Sequence, residues 1–258
     1  MDVVIFCGGR GTRLMEKTEV LPKPLVNVGT RPILWHIMKI YESYGCNRFI
    51  LPIGYKGDEI KKWFHHYAFE TQEKMVLHLN KPQVHTNLEN WEVVLQETGV
   101  ETGTAKRLAL VANDITSKQF HVTYGDGVAS ININDVIAHH NKMRQQFGIL
   151  GTISTVQPQY KFGVIEHDAF GIIKSFREKP QMTDWVNIGF MVFEREVLQY
   201  VEHATEQEMF EQILPQIAAE GKLAIYKHNG FFMAMDSFKD YTDINKLWET
   251  TKPWKNWK

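Results

Sequence analysis

The chain opens on a run of apolar residues, 3–7, continuous enough to predict a strand covered on both faces. A glycine-rich segment follows, Gly8-Gly9-Arg10-Gly11-Thr12-Arg13-Leu14, and then a loop holding Pro22, Lys23 and Pro24. Pro32 stands where a first helical residue belongs. Ile33, Leu34, Ile37, Met38 and Tyr41 then recur at helical spacing, and Gly45 closes the helix. Residues 49–53 read as the next strand, with Pro52 unable to donate a ladder hydrogen bond near its end.

The alternation continues with a helix over 58–67, a strand over 75–79 and a helix over 104–112. A strand over 120–124 ends at Gly125-Asp126-Gly127, and 133–146 is helical. Strands and helices alternating through short connections predict a parallel sheet with helical crossovers. After residue 148 the pattern shifts to shorter strands, at 150–156, 163–166, 172–176 and 186–193. A helix over 207–220, a strand over 223–227 and a helix over 239–250 close the chain. The polar stretch 80–90 reads as a loop. No internal repeat or linker interrupts the sequence, so one domain with an inserted or appended antiparallel region is expected.

Composition adds exclusions. A chain of 258 residues, 43% hydrophobic and 23% charged, has the make-up of an ordinary globular protein. Its formal net charge of −1 disfavours a nucleic-acid binder that relies on a basic face. No apolar stretch approaches the ~20 residues of a membrane span, and the start lacks a signal peptide's pattern, so the expected location is the cytoplasm, with no membrane partner. Cys7 and Cys46 sit beside apolar residues and read as buried free thiols. His65-His66 and His139-His140 are adjacent on predicted helices, where neighbours point about 100° apart and do not converge on one ion.

The chemistry concentrates after the first strand. Glycines there let a phosphate or a base edge approach the backbone. A dinucleotide fingerprint starting at Gly9 would need Gly or Ala where Leu14 stands, and no Gly-Lys-Ser/Thr follows for a nucleotide-triphosphatase loop. What the segment offers is cations, Arg10 and Arg13 with Lys23 beyond, which suits a triphosphate whose leaving group is pyrophosphate.

These residues resemble the signature of the sugar nucleotidyltransferases: Gly8 to Leu14, Pro22-Lys23-Pro24-Leu25, Gly29 and Pro32. The stretches 33–39, 54–57 and 123–128, with Glu178-Lys179-Pro180, Met235-Asp236 and 252–257, are similar to the glucose-1-phosphate cytidylyltransferase branch. The resemblance covers essentially the whole chain. It implies an α/β fold with a Rossmann-like, mixed but mainly parallel sheet flanked by helices, of the nucleotide-diphospho-sugar transferase type, and a small antiparallel sugar-side region. It implies one domain over 1–258: a nucleotide-binding half at 1–130, a sugar-phosphate half at 131–235, and a C-terminal helix and tail at 236–258.

The resemblance also implies the reaction and its residues. A sugar phosphate oxygen attacks the α-phosphorus of CTP in line, and pyrophosphate departs. Arg13, Lys23 and Asp126 would be catalytic, Arg13 holding the β- and γ-phosphates and Lys23 standing near the α-phosphate. Gly8, Gly9, Gly11, Thr12 and Thr104 would complete the nucleotide site with them. Tyr124, Gly163, Glu178, Lys179 and Asn187 would bind the sugar phosphate. Asp126 and Asp236 would hold Mg2+, an ion that keeps few protein ligands. Aromatics and lysines crowd 248–257, a pattern expected of a contact in a homo-oligomer.

The sequence departs from the cytidylyltransferase pattern on the sugar side. Asn187-Ile188-Gly189 stands for Asn-Gly-Gly, Thr102-Gly103-Thr104 for Thr-Gly-Gly, Lys161-Phe162-Gly163 for Arg-Phe-Gly, and Ala234 for a proline. The acceptor therefore stays open between glucose 1-phosphate, another sugar phosphate, and a non-sugar phosphate or phosphonate. CTP leads over UTP and dTTP. Two other classes fit less well: a catalytically silent regulator, which the intact Arg13, Lys23, Asp126 and Asp236 speak against, and a dehydrogenase, which the missing third glycine and the cation cluster speak against.

Overall fold

A computed structural model describes residues 1–11, 21–70 and 89–257. Thr12, Arg13, Leu14, the strand expected at 75–79 and most of the loop expected at 80–90 lie outside the described residues.

The strands, in chain order, are β1 (Asp2–Phe6), β2 (Asn27–Val28), β3 (Arg31–Pro32), β4 (Arg48–Ile53), β5 (Glu92–Glu97), β6 (Gln119–Tyr124) and β7 (Gly127–Ala129). They continue with β8 (Gly151–Val156), β9 (Val164–His167), β10 (Ile173–Arg177), β11 (Val186–Asn187), β12 (Met191–Glu194), β13 (Leu223–Lys227) and β14 (Phe232–Ala234). The α-helices are α1 (Ile33–Glu42), α2 (Gly57–Glu70), α3 (Thr104–Leu110), α4 (Ile133–Phe147), α5 (Phe210–Ala219) and α6 (Phe238–Glu249).

Eight strands share one sheet. β1 lies between β4 and β6, parallel to both, and β4 pairs with β5 in parallel. β12 enters antiparallel between β6 and β8, and β13 runs parallel to β8 on its other side. This is the mixed, mainly parallel sheet expected from the alternation. The unbroken apolar run of β1 has a direct cause. Val3 and Ile5 pack with Phe49, Leu51 and α1, while Val4 and Phe6 pack on the opposite face with Ile50, α3 and α5. A strand with a core on each side has no polar face to show.

Three expectations need correction. Pro32 precedes the first helical residue, Ile33, instead of occupying that position. β5 was not foreseen, because Glu92, Gln96 and Glu97 are polar and its apolar residues are only half-buried. The strand expected at 186–193 breaks into β11 and β12. Both lie on the same side of β8, and between their pairings four residues, Ile188–Met191, oppose Ile153 and Ser154. Gly189 (φ 75°) and Phe190 (φ 46°) are left-handed there, and the Ser154 hydroxyl donates to the Phe190 carbonyl at 2.7 Å to hold the bulge.

In the tail, Trp254 is 1% exposed, stacks against Phe231 and Trp248, and donates to His36 Nδ1 at 3.4 Å. Trp257 meets Trp35 edge-on. These aromatics pack within the chain, on and beside α1, with Trp254 buried and Trp248 and Trp257 half-buried.

Candidate active site

Two short strands, distant in sequence, build the site. β7 pairs antiparallel with β14, and the Met235 amide donates to the Asp126 carbonyl at 2.9 Å. Asp126 precedes β7 and Asp236 follows β14, so this pairing sets the two carboxylates side by side. Ser237 caps α6: its hydroxyl accepts from the Asp240 amide while Asp240 accepts from the Ser237 amide at 2.8 Å. That leaves the Asp236 carboxylate available to the site.

Lys23 meets both. It lies on a single 3-10 turn, Lys23–Leu25, between Pro22 and Pro24, and its Nζ donates to Asp126 Oδ2 and Asp236 Oδ1, each at 2.7 Å. The Lys23 side chain is 11% exposed, against 30% for Asp126 and 46% for Asp236. Burial pushes the ammonium's pKa down, but the charges and hydrogen bonds of Asp126 and Asp236 outweigh it and leave the pKa above that of an ordinary lysine. Lys23 is therefore a fixed positive charge at neutral pH.

Two cavities meet at Asp126 and Tyr124. One, of about 180 Å³, is walled by Gly9 and Gly11, by Lys23 and Pro24, and by Thr104. The other, of about 330 Å³, is walled by Asn187 and Ile188, by Phe232 and Ala234, and by Asp236. Both open at the carboxyl end of β6, where open α/β sheets place their ligands. Tyr124 is anchored by its hydroxyl to Glu211, and burial followed by the Glu211 charge pushes its pKa up. Asn187 accepts from the Gly189 amide at 2.9 Å, which fixes its amide at the cavity rim.

The structure thus gathers Gly9, Gly11, Lys23, Thr104, Tyr124, Asp126, Asn187 and Asp236 around the paired cavities. Gly8 lies beneath them, buried against the Arg107 guanidinium. Gly163, Glu178 and Lys179, expected at the sugar phosphate, do not line either cavity. They lie on and beside the β9–β10 hairpin, where the Glu178 and Lys179 side chains are 63% and 58% exposed and 3.4 Å apart. Arg10 is turned away into an ion pair with Glu101. Cys7 and Cys46 are buried and free. His140 bonds Thr152 and Glu194 at 2.9 and 3.1 Å, and no cluster of three metal-ligating side chains occurs among the described residues.

Sequence reasoning missed Arg107. It is 2% exposed and donates to Gly8 O, Ile53 O and Val100 O at 3.1–3.4 Å, and to Thr98 Oγ1. The guanidinium ties the glycine loop to the ends of β4 and β5. The available signal was its place on the stripe Thr104, Arg107, Leu108, Val111, which is the buried face of a helix.

Fold and side chains together set a buried lysine and two carboxylates where two cavities meet at the carboxyl end of the sheet's strands. The nucleotidyl transferase family profile matches residues 2–254. The glucose-1-phosphate cytidylyltransferases of Salmonella typhi and Salmonella typhimurium are each 38% identical over 264 residues, covering 100% of this chain and 100% of theirs. Among solved structures, HddC from Yersinia pseudotuberculosis superposes with a TM-score of 0.67 at 22% identity, covering 96% of this chain and 99% of that one. UDP-glucose pyrophosphorylase from Acinetobacter baumanii gives 0.68 at 15% identity, covering 98% and 95%. At such identities the superpositions establish the fold alone. The chain belongs to the nucleotidyl transferase family, as a sugar-phosphate nucleotidyltransferase similar to the glucose-1-phosphate cytidylyltransferases.

Proposed function

We propose that the protein transfers the cytidylyl group of CTP to a sugar 1-phosphate, glucose 1-phosphate first among candidates, giving a CDP-sugar and pyrophosphate. The observation that carries this reading is Lys23 held at 2.7 Å by both Asp126 and Asp236 where the two cavities meet. An acceptor phosphate oxygen bonds to the α-phosphorus, the bond from that phosphorus to its β-bridging oxygen breaks, and the electron pair leaves with pyrophosphate. Such a displacement needs alignment and charge neutralisation more than covalent help.

The site's own residues meet those needs. Lys23 supplies positive charge beside the α-phosphate, with Arg13 for the β- and γ-phosphates. Gly9 and Gly11 leave the loop backbone open to the nucleotide, Gly8 and Thr12 flank it, and Thr104 faces it from α3. Tyr124 and Asn187 border the acceptor cavity; Glu178, Lys179 and Gly163 stand on and beside the hairpin, outside it. Asp126 and Asp236 fit Mg2+, since they are hard oxygen donors, partly exposed, and already converge on one cation, the Lys23 ammonium. Bound there, the ion would supply charge neutralisation for the phosphate oxygens. The reading takes residues 1–258 as one domain, acting in the cytoplasm as a homo-oligomer, without a nucleic-acid or membrane partner.

A second reading, a different phosphorylated acceptor, is favoured by Ile188 and Ala234 on the wall of the larger cavity. One experiment tests both. Pyrophosphate release would be measured with Mg2+, crossing CTP, UTP and dTTP against glucose 1-phosphate, other sugar 1-phosphates, and non-sugar phosphates and phosphonates. Release with CTP and glucose 1-phosphate is expected. Release confined to another acceptor would replace the sugar assignment, and release confined to UTP or dTTP would replace the base.

A further inference from the structure

A further cavity, of about 400 Å³, shares no described lining residue with the two that meet at Asp126. That volume is within the ~300–1,000 Å³ usual for small-molecule sites. It lies between the β2–β3 hairpin, which brings Arg31, and α2. Glu59, Lys62, Trp63, His66 and Tyr67 recur on α2 at i, i+3, i+4, i+7 and i+8, so they form one face. Trp63 and Tyr67 stack at 5.0 Å and 15°, and the Arg31 guanidinium lies 4.8 Å over the Tyr67 ring. A guanidinium seated on a ring keeps its donor fork in one place. Lys62 and His66 are exposed one turn apart, and Lys62 reaches Glu59 at 2.7 Å. An exposed pair of that kind yields readily to a stronger anion. The described walls thus hold two fixed cations and a histidine against one carboxylate, and they favour an anion.

We propose that this cavity is a second ligand site, for a phosphate monoester carried on a ring, coupled to Lys23 through a shared turn. A phosphate monoester brings about two charges and three acceptor oxygens, enough for a guanidinium and an ammonium together. Half-buried Trp63 offers the ring body an aromatic surface to pack on. Asn27 and Thr30, exposed on the hairpin wall, offer donors and acceptors to hydroxyls or ring nitrogens. A nucleoside monophosphate and a sugar phosphate both have this chemistry. The link to the candidate active site is Leu25, which lines this cavity and ends the 3-10 turn begun by Lys23. The Leu25 amide donates to the Pro22 carbonyl at 2.8 Å and the Val26 amide to the Lys23 carbonyl at 3.1 Å, so the turn moves as one piece. A ligand against Leu25 therefore bears on the segment that holds Lys23 between Asp126 and Asp236. The site stands apart from the catalytic assignment; its coupling rests on that assignment.

Isothermal titration calorimetry of the full chain with AMP, ribose 5-phosphate and inorganic phosphate tests the site without an activity readout. Both esters should bind more tightly than inorganic phosphate. Lys62→Glu, at a side chain 69% exposed, should keep the fold and weaken both by ~10-fold or more. His66→Glu, also exposed, should act in the same direction. No binding of either ester, affinities unchanged in both variants, or inorganic phosphate binding as tightly as the esters would overturn the site. Tighter binding of AMP, with the difference lost in Trp63→Leu, would assign a nucleoside monophosphate. Ribose 5-phosphate binding as tightly as AMP, or more so, would assign a sugar phosphate. A saturating ester should then change kcat/KM for pyrophosphate release ~5-fold or more in the parent protein and not in Lys62→Glu. No change, or an equal change in both proteins, would overturn the coupling. A parent protein that binds the esters but releases no pyrophosphate would count against the catalytic assignment and not against the site.

Discussion

Lys23 and Asp236 lie 213 residues apart, and their side chains meet at 2.7 Å. Neither position is set by its neighbours in sequence alone. Pro22 and Pro24 confine Lys23 to a short turn whose backbone is tied from the Val26 amide to the Lys23 carbonyl at 3.1 Å. Asp236 is fixed by β14 on one side and the cap of α6 on the other. The pair is thus a long-range closure of the fold and, in the proposed function, the centre of its chemistry. Because the lysine's pKa is raised, its contribution to the closure is fully present below the pKa of free lysine and is lost as pH rises through the raised value.

Replacing Lys23 with methionine keeps the length of the side chain and removes its charge. Asp126 and Asp236 then face one another without the cation between them. Pyrophosphate release should fall by ~10²–10³, the scale of losing one preorganised charge donor to a transition state. The melting temperature should fall too, and Lys23→Met/Asp126→Asn should recover part of that stability while remaining inactive. Stopped-flow or coupled pyrophosphate assays with thermal melts check both. Near-normal turnover in Lys23→Met would remove the lysine from the mechanism.

Gly8 and Gly9 separate a structural glycine from one that serves the substrate. A β-carbon on Gly8 would lie 2.1 Å from the buried Arg107 guanidinium, whereas one on Gly9 meets nothing within 4 Å. Gly8→Ala must displace Arg107 from the carbonyls it binds, so a loss of more than about 2 kcal/mol in urea unfolding is expected. Gly9→Ala should unfold as the parent protein does but bind CTP more weakly, since Gly9 lines the smaller cavity, the proposed nucleotide site, and a methyl there meets no protein atom within 4 Å. Equal stability for the two variants would contradict the packing described.

Most of this architecture was legible in the sequence because its signals are local. The two-sided burial of β1 produces an unbroken apolar run, and the stripe of α1 repeats at helical spacing. β13, Leu223–Lys227, has the bounds read from the sequence. Features made by distant pairing left little trace. β5 is polar along much of its length. The bulge at Ile188–Phe190 depends on Ser154, a residue on a neighbouring strand. Motif resemblance put Glu178 and Lys179 with Lys23, but the hairpin carrying them stands away from the cavities in a single chain. Charge pairing at Lys23 could not be read at all, since it arises only when β7 meets β14.

Buried histidines give the protein a pH dependence on the acid side. Burial holds His36 down from 6.5 to about 4, against the raising effect of its carbonyl partners, and holds His121 down to about 3. His36 Nε2 bonds the Val28 carbonyl at 2.9 Å while Nδ1 accepts from Trp254, a set only the neutral ring satisfies. Above pH 6.5 both states carry neutral histidines and stability is flat. Below it the unfolded chain binds protons that the native state refuses, so stability falls, through His36 down to about pH 4 and through His121 down to about pH 3. At about 1.4 kcal/mol for each pH unit between the two pKa values, His36 alone accounts for a loss of roughly 3 kcal/mol. Urea unfolding between about pH 7 and about pH 4 should show this slope, and His36→Gln should be less stable at neutral pH but flatter below it. A stability independent of pH over that interval would contradict the neutral assignment.

Ile188 belongs at once to the core and to the wall of the cavity proposed for the acceptor. It is 4% exposed, packs with the core on the α1 face of the sheet, and lines the larger cavity beside Asn187. The Ile188 amide donates to the Ser154 carbonyl at 3.1 Å, so the backbone of the bulge is held whichever side chain stands there. Ile188→Gly should therefore keep the bulge and remove the apolar wall, at a cost of about 2–5 kcal/mol for the lost burial. With the wall gone, kcat/KM ratios among phosphorylated acceptors should shift toward bulkier ones, while KM for the nucleotide, assigned to the separate cavity lined by Gly9 and Thr104, should change little. Discrimination of this kind rests on differential contact in the transition state, and one hydrophobic side chain supplies about 1–3 kcal/mol of it, or 10–200-fold. Unchanged ratios in a folded Ile188→Gly protein would mean that acceptor choice is made elsewhere, with Phe232 and Ala234 on the opposite strand the next residues to vary.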